Sequence, residues 1–254
     1  MSSVRPYPLP GPTYGPAAAF PSGVDTVKAR DRRGRERAIS GNRLTSWAFA
    51  EAYGEPDAGT AEEAALRWAR ERAEAAGVRA VSPGTGDALR LLAAATGARA
   101  VVEIGTGTGV SGIYLLQGLS PDGVLTTVDV EPERQQFARQ AFRMAGFASN
   151  RARLIPGPAL DVLPRLTDGG YDLVFYDGDR LECLECLGES LRLLRPGGLV
   201  CYTGVFAGGR TVDSGPQPTE VLRLRELLRA VRERKDLVPA LLPVGDGLLC
   251  AARA

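Results

Sequence analysis

The chain has 254 residues, which suits one α/β domain with an appendage and is short for two full domains. Hydrophobic residues make up 44% and charged residues 24%, as in an average globular protein, and the net charge of +1 at pH 7 attracts neither nucleic acid nor an anionic membrane. No apolar run approaches the roughly 18 residues of a membrane span and no secretory signal opens the sequence, so we expect a cytoplasmic protein that acts on a small molecule.

Residues 1–43 are rich in proline, glycine and serine and show neither helical nor strand periodicity, which predicts a disordered or loosely draped tail. A basic segment, 28–37, lies inside this tail. Asp31 and Glu36 dilute its charge and no aromatic residue is interleaved, so a solvated tail is favoured over nucleic-acid binding. The folded domain is predicted to comprise 44–254.

Two helices are predicted ahead of the first strand. Thr60 and Glu63 form a capping-box pattern before an apolar-periodic segment, and Gly77 suits the end of that helix. A second helix should begin after Ser82, where proline occupies the first helical position, and continue to Gly97. These helices are positioned in the sequence to cover the first strand.

Strands and helices then alternate. Five apolar runs have strand composition: 100–104, 124–129, 153–155, 171–176 and 199–202. Amphipathic stretches lie around 110–119, 132–145, 159–166, 181–194 and 218–234. Two further apolar runs, 237–243 and 248–252, flank a Gly-Asp-Gly turn that is typical of a hairpin. The pattern predicts an α/β fold with a seven-stranded, mostly parallel sheet, helices on both faces and an antiparallel last strand.

The sequence contains four cysteines, which are too few for a disulfide scaffold: Cys183, Cys186, Cys201 and Cys250. Cys183 and Cys186 form a Cys-x-x-Cys pattern, but a zinc site needs two further ligands and the chain contains no histidine. We therefore interpret the pair as packing along a helix face and expect no structural metal.

A glycine-rich loop follows the first strand and opens a helix. Its glycines, which include Gly105, Gly107 and Gly109, permit a tight turn and close backbone approach of a ligand at the carboxyl end of the sheet. The spacing Gly107-x-Gly109-x-x-Gly112 is also the dinucleotide fingerprint. Alone, this loop does not distinguish NAD from S-adenosylmethionine (SAM).

Three neighbouring features favour SAM. Glu103 precedes Gly105 by two residues, where an acid suits the ammonium of a bound amino acid better than a pyrophosphate. Asp129 ends the second strand, where a carboxylate can accept two ribose hydroxyls of either cofactor. The Arg-Pro-Gly-Gly segment within 194–200, together with the closing hairpin, looks like class I methyltransferases, whereas dehydrogenases seldom combine the two.

These motifs resemble the catechol and caffeoyl-CoA O-methyltransferase family over about 44–254. The matching segments occur in the family's order: 81–83, 103–111, 127–129, 157–159 and 171–179. The resemblance implies a Rossmann-like class I methyltransferase fold, SAM as cofactor and a homodimer. It also implies that the glycine loop holds the methionine end of SAM through Glu103, Gly105, Thr106, Gly107 and Ser111. Asp129 would bind the ribose, and Val81, Ala159 and Asp177 would line the remaining pocket.

The sequence departs from the family where the reaction occurs. Family members hold a divalent metal through an Asp after the fourth strand and an Asp-Asn pair after the fifth, with a Lys as base. Asp177 matches the first ligand, but Arg180 stands in the lysine position, and Thr203 and Gly204 replace the Asp-Asn pair. Because Mg²⁺ needs several oxygen ligands in near-octahedral geometry, we predict a reaction without a bound metal.

Methyl transfer to a hydroxyl group still requires removal of its proton. Arg180 cannot serve as the base, because a guanidinium does not deprotonate in proteins. Asp177 or Asp179 is the candidate base, provided that burial raises its pKa toward the working pH. Arg180 would then stabilise a phenolate or bind a carboxylate of the acceptor.

The sequence therefore predicts a SAM-dependent O-methyltransferase that acts on a small hydroxylated, aromatic or non-aromatic acceptor. Two alternatives stay open. The altered metal and base positions also fit a SAM-binding protein that lacks transfer activity and acts as a regulator or partner. The dinucleotide fingerprint also fits an NAD-dependent oxidoreductase, which Glu103 and the Arg-Pro-Gly-Gly segment disfavour.

Overall fold

The structure is a computed structural model that describes residues 27–30, 36–39 and 41–254, with side chains from residue 45 onward. The chain divides into two compact units, of which the first ends at Ala48 and the second is Phe49–Ala254. Across the described residues, no helix combines the length and apolar character needed to cross a lipid bilayer.

The second unit contains the alternating strands and helices that the sequence predicts. The strands among the described residues are β1 (Val27–Arg30), β2 (Glu36–Ile39), β3 (Ala100–Ile104), β4 (Val124–Asp129), β5 (Ala152–Pro156), β6 (Tyr171–Tyr176), β7 (Leu194–Thr203), β8 (Leu237–Leu242) and β9 (Leu248–Arg253). The helices are α1 (Gly41–Ala52), α2 (Ala61–Ala75), α3 (Pro83–Ala95), α4 (Val110–Gly118), α5 (Pro132–Met144), α6 (Ala159–Val162), α7 (Cys183–Leu193) and α8 (Thr219–Glu233).

Seven strands form one sheet in the order β5-β4-β3-β6-β7-β9-β8. The pairs among β5, β4, β3, β6 and β7 are parallel, whereas β9 runs antiparallel to both β7 and β8. The predicted Rossmann-like fold, with its antiparallel last strand, is confirmed. Parallel strands joined through helices bring their carboxyl ends to one edge of the sheet, where open α/β folds bind ligands.

Helix capping explains where α2 and α3 begin. The Thr60 Oγ1 atom accepts a hydrogen bond of 3.1 Å from the Glu63 N–H, and the Ser82 Oγ atom accepts one of 3.2 Å from the Thr85 N–H. Each bond satisfies an N–H that has no partner within the helix. Gly77 has a φ of +64° just after α2, in the left-handed region that glycine adopts without strain. The two predicted helices are confirmed.

The core lies on both faces of the sheet, because alternate side chains of a strand point to opposite sides. Along β6, Leu173 and Phe175 pack with helices α2 to α5 on one face. Val174 and Tyr176 pack with helices α6 to α8 on the other face. Cys183 and Cys186 of α7 are buried in this second layer as free thiols, as the packing interpretation expects.

The predicted tail differs from the structure at two short segments. β1 and β2 pair in antiparallel fashion, although the composition of 1–43 indicates no regular structure. Val27–Arg30 alternates apolar and basic residues, a period-two pattern too short to stand out in the sequence. Helix α1 was not predicted, and the predicted domain boundary after residue 43 falls inside it. Residues 1–26, 31–35 and 40 lie outside the described part of the chain, and the tail itself stays a prediction.

Candidate active site

A first cavity of about 480 Å³ opens at the carboxyl ends of β3, β4 and β6. It is bordered by eight of the nine residues that the resemblance assigns to SAM: Val81, Gly105, Thr106, Gly107, Ser111, Asp129, Ala159 and Asp177. The ninth, Glu103, is fully buried and does not line the cavity. Positions spread over nearly 100 residues of sequence therefore meet at one edge of the sheet, as the parallel topology requires.

The glycine loop forms the floor of the first cavity through its main chain. Gly105 has a φ of +94°, and the carbonyl group of Asp177 packs where a side chain at this position would lie. Gly109 has a φ of +94° immediately before α4, and a side chain there would meet the Ala138 α-carbon at 2.9 Å. Glycine is required at both positions, because the backbone conformation is left-handed and the neighbouring main chain is close.

Glu103 lies below this floor in a buried hydrogen-bonded network. Its two carboxyl oxygens accept hydrogen bonds of 2.6 Å from the hydroxyls of Ser111 and Thr127. Thr127 also shares a hydrogen bond with Thr106, which accepts one from the Gln135 amide. Burial raises the pKa of Glu103 to about 8, against the lowering effect of the two hydroxyls. Glu103 therefore orients Ser111 and Thr106, two residues that face the cavity.

Asp129 presents a nearly buried carboxylate to the first cavity at the end of β4. Its Oδ2 atom accepts a hydrogen bond of 2.8 Å from the Gly107 N–H, and its Oδ1 atom accepts one of 2.9 Å from the Glu131 N–H. Two backbone donors fix the carboxylate, and each oxygen keeps a lone pair for a ligand. This group is placed to accept hydrogen bonds from vicinal hydroxyls.

A second cavity of about 500 Å³ adjoins the first. The two share a wall that includes Tyr176, Asp177 and Gly178. The Asp177 side chain is exposed to the solvent that fills the two cavities. The surrounding protein nevertheless disfavours the charged carboxylate by desolvation, which raises the pKa of Asp177 to about 7. The guanidinium groups of Arg180 and Arg79 act in the opposite direction. Asp177 thus lies at the junction of the two cavities and has a pKa near neutral pH.

Asp179 and Arg180 are placed differently from Asp177. The Asp179 Oδ1 atom accepts a hydrogen bond of 2.9 Å from the Leu181 N–H, so this exposed carboxylate caps the short 3-10 turn before α7. Arg180 lines the second cavity, and its Nη2 atom lies 3.7 Å from the Oδ2 atom of Asp246. Of the two candidate bases, Asp177 is the one that faces both cavities.

The residues expected to hold a metal in the family do not form a metal site in this chain. Thr203 and Gly204 line the second cavity, and the Arg180 Nη2 atom lies 3.0 Å from where a side-chain carbon at Gly204 would be. A cation, Arg180, therefore lies against Gly204 in the cavity that Asp177 also lines. No group of three or more metal-binding side chains occurs within residues 45–254. This donor set does not fit a divalent ion.

The two cavities also contain residues that were not predicted from the sequence. Arg79 and Asp246 border the second cavity, and the Arg79 Nη1 atom lies 3.5 Å from the Asp246 Oδ2 atom. Val130 and Arg134 border the first cavity beyond Asp129. The exposed Val130, directly after a strand-end acid, is a signal that could have been recognised. Arg79 lies in a loop without a motif, and Asp246 belongs to the Gly-Asp-Gly turn, which indicates a hairpin but no binding site.

The sequence profile of a family described as O-methyltransferase matches residues 63–254. A protein of Mycobacterium sp. (strain KMS) that is provisionally classed as an O-methyltransferase is 51% identical over 192 residues, which cover 76% of this chain and 87% of that protein.

Solved structures give the same result. The O-methyltransferase TomG of Streptomyces achromogenes, involved in tomaymycin synthesis and determined in complex with SAM, aligns with a TM-score of 0.74 and 27% identity. That alignment covers 85% of this chain and 99% of TomG. An O-methyltransferase of Bacillus cereus, determined in complex with S-adenosylhomocysteine (SAH), aligns with a TM-score of 0.72 and 25% identity over 83% of this chain and all of the other.

Proposed function

Because the chain belongs to the O-methyltransferase family, we propose that it transfers a methyl group from SAM to a hydroxyl of a small acceptor without a divalent metal. The observation that carries this proposal is the pair of adjoining cavities whose shared wall contains Asp177. The first cavity would hold the cofactor and the second the acceptor. The reacting atoms would then meet beside Asp177.

The residues of the first cavity fit SAM. The main chain of the glycine loop and the Ser111 hydroxyl would contact the methionine end, with Glu103 acting through Ser111. Asp129 would accept hydrogen bonds from the ribose hydroxyls, and the apolar side chains of Val130 and Ala159 would contact the adenine. When bound, SAM supplies a methyl group activated by a sulfonium.

The chain's own residues would perform three tasks in the reaction. The second cavity positions the acceptor hydroxyl toward the first cavity, because in-line displacement depends chiefly on alignment. Asp177 removes the hydroxyl proton, and its raised pKa of about 7 suits a general base at neutral pH. Arg180 stabilises the negative charge that develops on the acceptor oxygen.

A catalytically silent SAM-binding protein is the second candidate function. It is favoured by Arg180, Thr203 and Gly204, which replace residues that the family uses for catalysis. A turnover assay over a panel of catechols, phenols and hydroxy acids separates the two functions. We expect methylated product from at least one acceptor, whereas SAM binding without product from any of them would support the silent protein. The oxidoreductase alternative finds no support in the family to which the chain belongs.

We also propose that the protein works in the cytoplasm as a homodimer. The four cysteines are buried free thiols, including Cys201 and Cys250, whose sulfur atoms lie 3.6 Å apart without a disulfide. Four cysteines are too few for a disulfide scaffold in a chain of this length, which agrees with a reducing compartment. The homodimer rests on the family resemblance, and light scattering on the purified protein tests it.

A further inference from the structure

The second cavity has a charge pattern that the methyl-transfer reaction alone does not require. Two arginines from separate loops, Arg79 and Arg180, line it together with two acids, Asp177 and Asp246. The Tyr176 and Tyr202 rings stack at 4.8 Å between centroids along its apolar side. The cavity therefore combines an aromatic wall with two cations.

Both guanidinium groups approach the same carboxylate oxygen without hydrogen bonding to it. The Asp246 Oδ2 atom lies 3.5 Å from Arg79 Nη1 and 3.7 Å from Arg180 Nη2. The Asp246 Oδ2 atom is buried without a hydrogen-bond partner, whereas the Oδ1 atom accepts a hydrogen bond of 2.8 Å from the Gly208 N–H. Among the described residues, neither arginine donates a hydrogen bond to another group. The N–H donors of two guanidinium groups thus stay available in the cavity.

One carboxylate balances these two cations incompletely. Asp246 is the acid that approaches both arginines, and no other ion pair involves either arginine among the described residues. A guanidinium binds planar oxygen anions through paired N–H donors, and such charge-assisted hydrogen bonds are stronger than neutral ones. An oxygen anion in this cavity would restore the charge balance and use the free donors.

We propose that the methyl acceptor carries an anionic oxygen group, a carboxylate or a phosphate, which Arg79 and Arg180 bind while the acceptor hydroxyl faces Asp177. This inference rests on the function proposed above and assigns its substrate class. Arg79 is a specificity residue in this account, and its side chain is 80% exposed. Asp246 competes with the acceptor for both arginines.

Binding to the SAH complex of the full chain tests the proposal without requiring turnover. Calorimetry would compare four probes of similar shape: protocatechuate, its neutral amide, dihydroxybenzylamine and dihydroxybenzyl phosphate. We expect an anionic probe to bind about tenfold or more tightly than the amide, and the amine to bind weakest. The tighter of the carboxylate and phosphate probes identifies the anionic group.

Two variants distinguish direct recognition from a structural role. Arg79→Gln should weaken binding of the anionic probe about threefold to tenfold and leave binding of the amide unchanged. The effect is modest because solvent partly screens an exposed cation. Asp246→Asn keeps the shape and the Gly208 contact but removes the competing charge, so it should strengthen binding of the anionic probe. A merely structural role for Asp246 would produce weaker binding of all probes.

The outcomes separate this proposal from the proposed function. Tight anion binding that depends on Arg79, without methylation of any acceptor, would support anion recognition and contradict the transfer activity. Methylation of the amide and of protocatechuate with equal kcat/KM and equal affinity would support transfer and overturn the anionic acceptor. Failure of all four probes to bind the SAH complex would also overturn it.

Discussion

The two cavities meet at Asp177 but are built by different parts of the polypeptide. The main chain and small side chains of the glycine loop form the floor of the first cavity, and Asp129 is held there by two backbone N–H groups. The second cavity includes charged side chains from three separate segments of the chain, Arg79, Arg180 and Asp246, beside the rings of Tyr176 and Tyr202.

This difference indicates how binding and reaction are divided within the molecule. A cavity formed by main chain is fixed by the fold, so it suits a cofactor that all members of a family share. A cavity formed by side chains changes with single substitutions, so it suits an acceptor that differs between members. Substitutions in the first cavity should therefore alter cofactor affinity, and substitutions in the second should alter turnover or acceptor affinity.

The largest effect is expected at the shared wall. Asp177→Asn removes the proposed base while keeping the size of the side chain, and we expect kcat to fall by about 10²–10⁴. SAM affinity should change by less than about threefold, because the assigned ribose and methionine contacts lie elsewhere. Steady-state kinetics and calorimetry measure the two quantities. A kcat near that of the unaltered protein would remove Asp177 from the mechanism.

Asp179→Asn is the matched control, since Asn also caps turns and this carboxylate binds the Leu181 N–H. It should retain most of the activity.

The pH profile adds a second check on Asp177. Because the pKa of Asp177 is raised to about 7, the carboxyl is protonated below that pH, so kcat/KM should fall as the pH decreases through about 7. A profile that is flat between about pH 6 and 8 would contradict this assignment.

Asp129→Ala addresses the first cavity alone. We expect it to reduce SAM affinity by about 1.5–3 kcal/mol, the scale for losing hydrogen bonds to a charged group. The kcat at saturating SAM should change much less, because the acceptor side is untouched. Calorimetry on a variant whose circular dichroism is unchanged makes the measurement. Unchanged SAM affinity would refute the ribose assignment.

A smaller effect is expected below the cavity floor, at Glu103. Its pKa is about 8 in the folded protein and near 4.5 in the unfolded chain, so the folded state binds the extra proton between these values. The free energy of unfolding should therefore decrease as the pH rises through this range. In Glu103→Gln this side chain stays neutral at every pH. Between pH 5 and pH 8 the free energy of unfolding of the variant should therefore rise, relative to that of the unaltered protein, by at least about 1 kcal/mol, which corresponds to about 2–4 °C in Tm. Parallel Tm curves without cofactor would contradict this.

Deletion of residues 1–40 should have the smallest effect. A segment rich in proline and glycine buries little apolar surface, and an isolated pair of four-residue strands adds little stability. We expect the Tm to change by less than about 2 °C, which corresponds to less than about 1 kcal/mol, with SAM affinity unchanged. A drop of many degrees would show that the segment packs on the domain.

The contrast between the cavities also explains how much the sequence could predict. Strand runs and the glycine loop were predictable because local patterns determine them, and the parallel topology then places Gly105, Asp129 and Asp177 at one edge. Glu103 was expected to face the ligand. Instead it points into the core toward Thr127, because a central strand of a parallel sheet is buried on both faces.

The second cavity could not be predicted in the same way. Arg79 follows α2, Arg180 follows β6 and Asp246 lies in the turn between β8 and β9, so their proximity depends on tertiary packing. Loop composition does not encode the direction in which a long side chain points. The sequence indicated only that Arg180 and Gly204 depart from the family, and the structure places these two positions side by side.

The central claim is that methyl transfer proceeds without a divalent metal, and chelation tests it most directly. Product formation with an accepted substrate would be measured before and after treatment with EDTA, and again after Mg²⁺ is restored. We predict equal rates in all three conditions, because Arg180 lies against Gly204 and because Thr203 and Gly204 supply no carboxylate or amide ligand. Loss of activity with EDTA and recovery with Mg²⁺ would contradict the account.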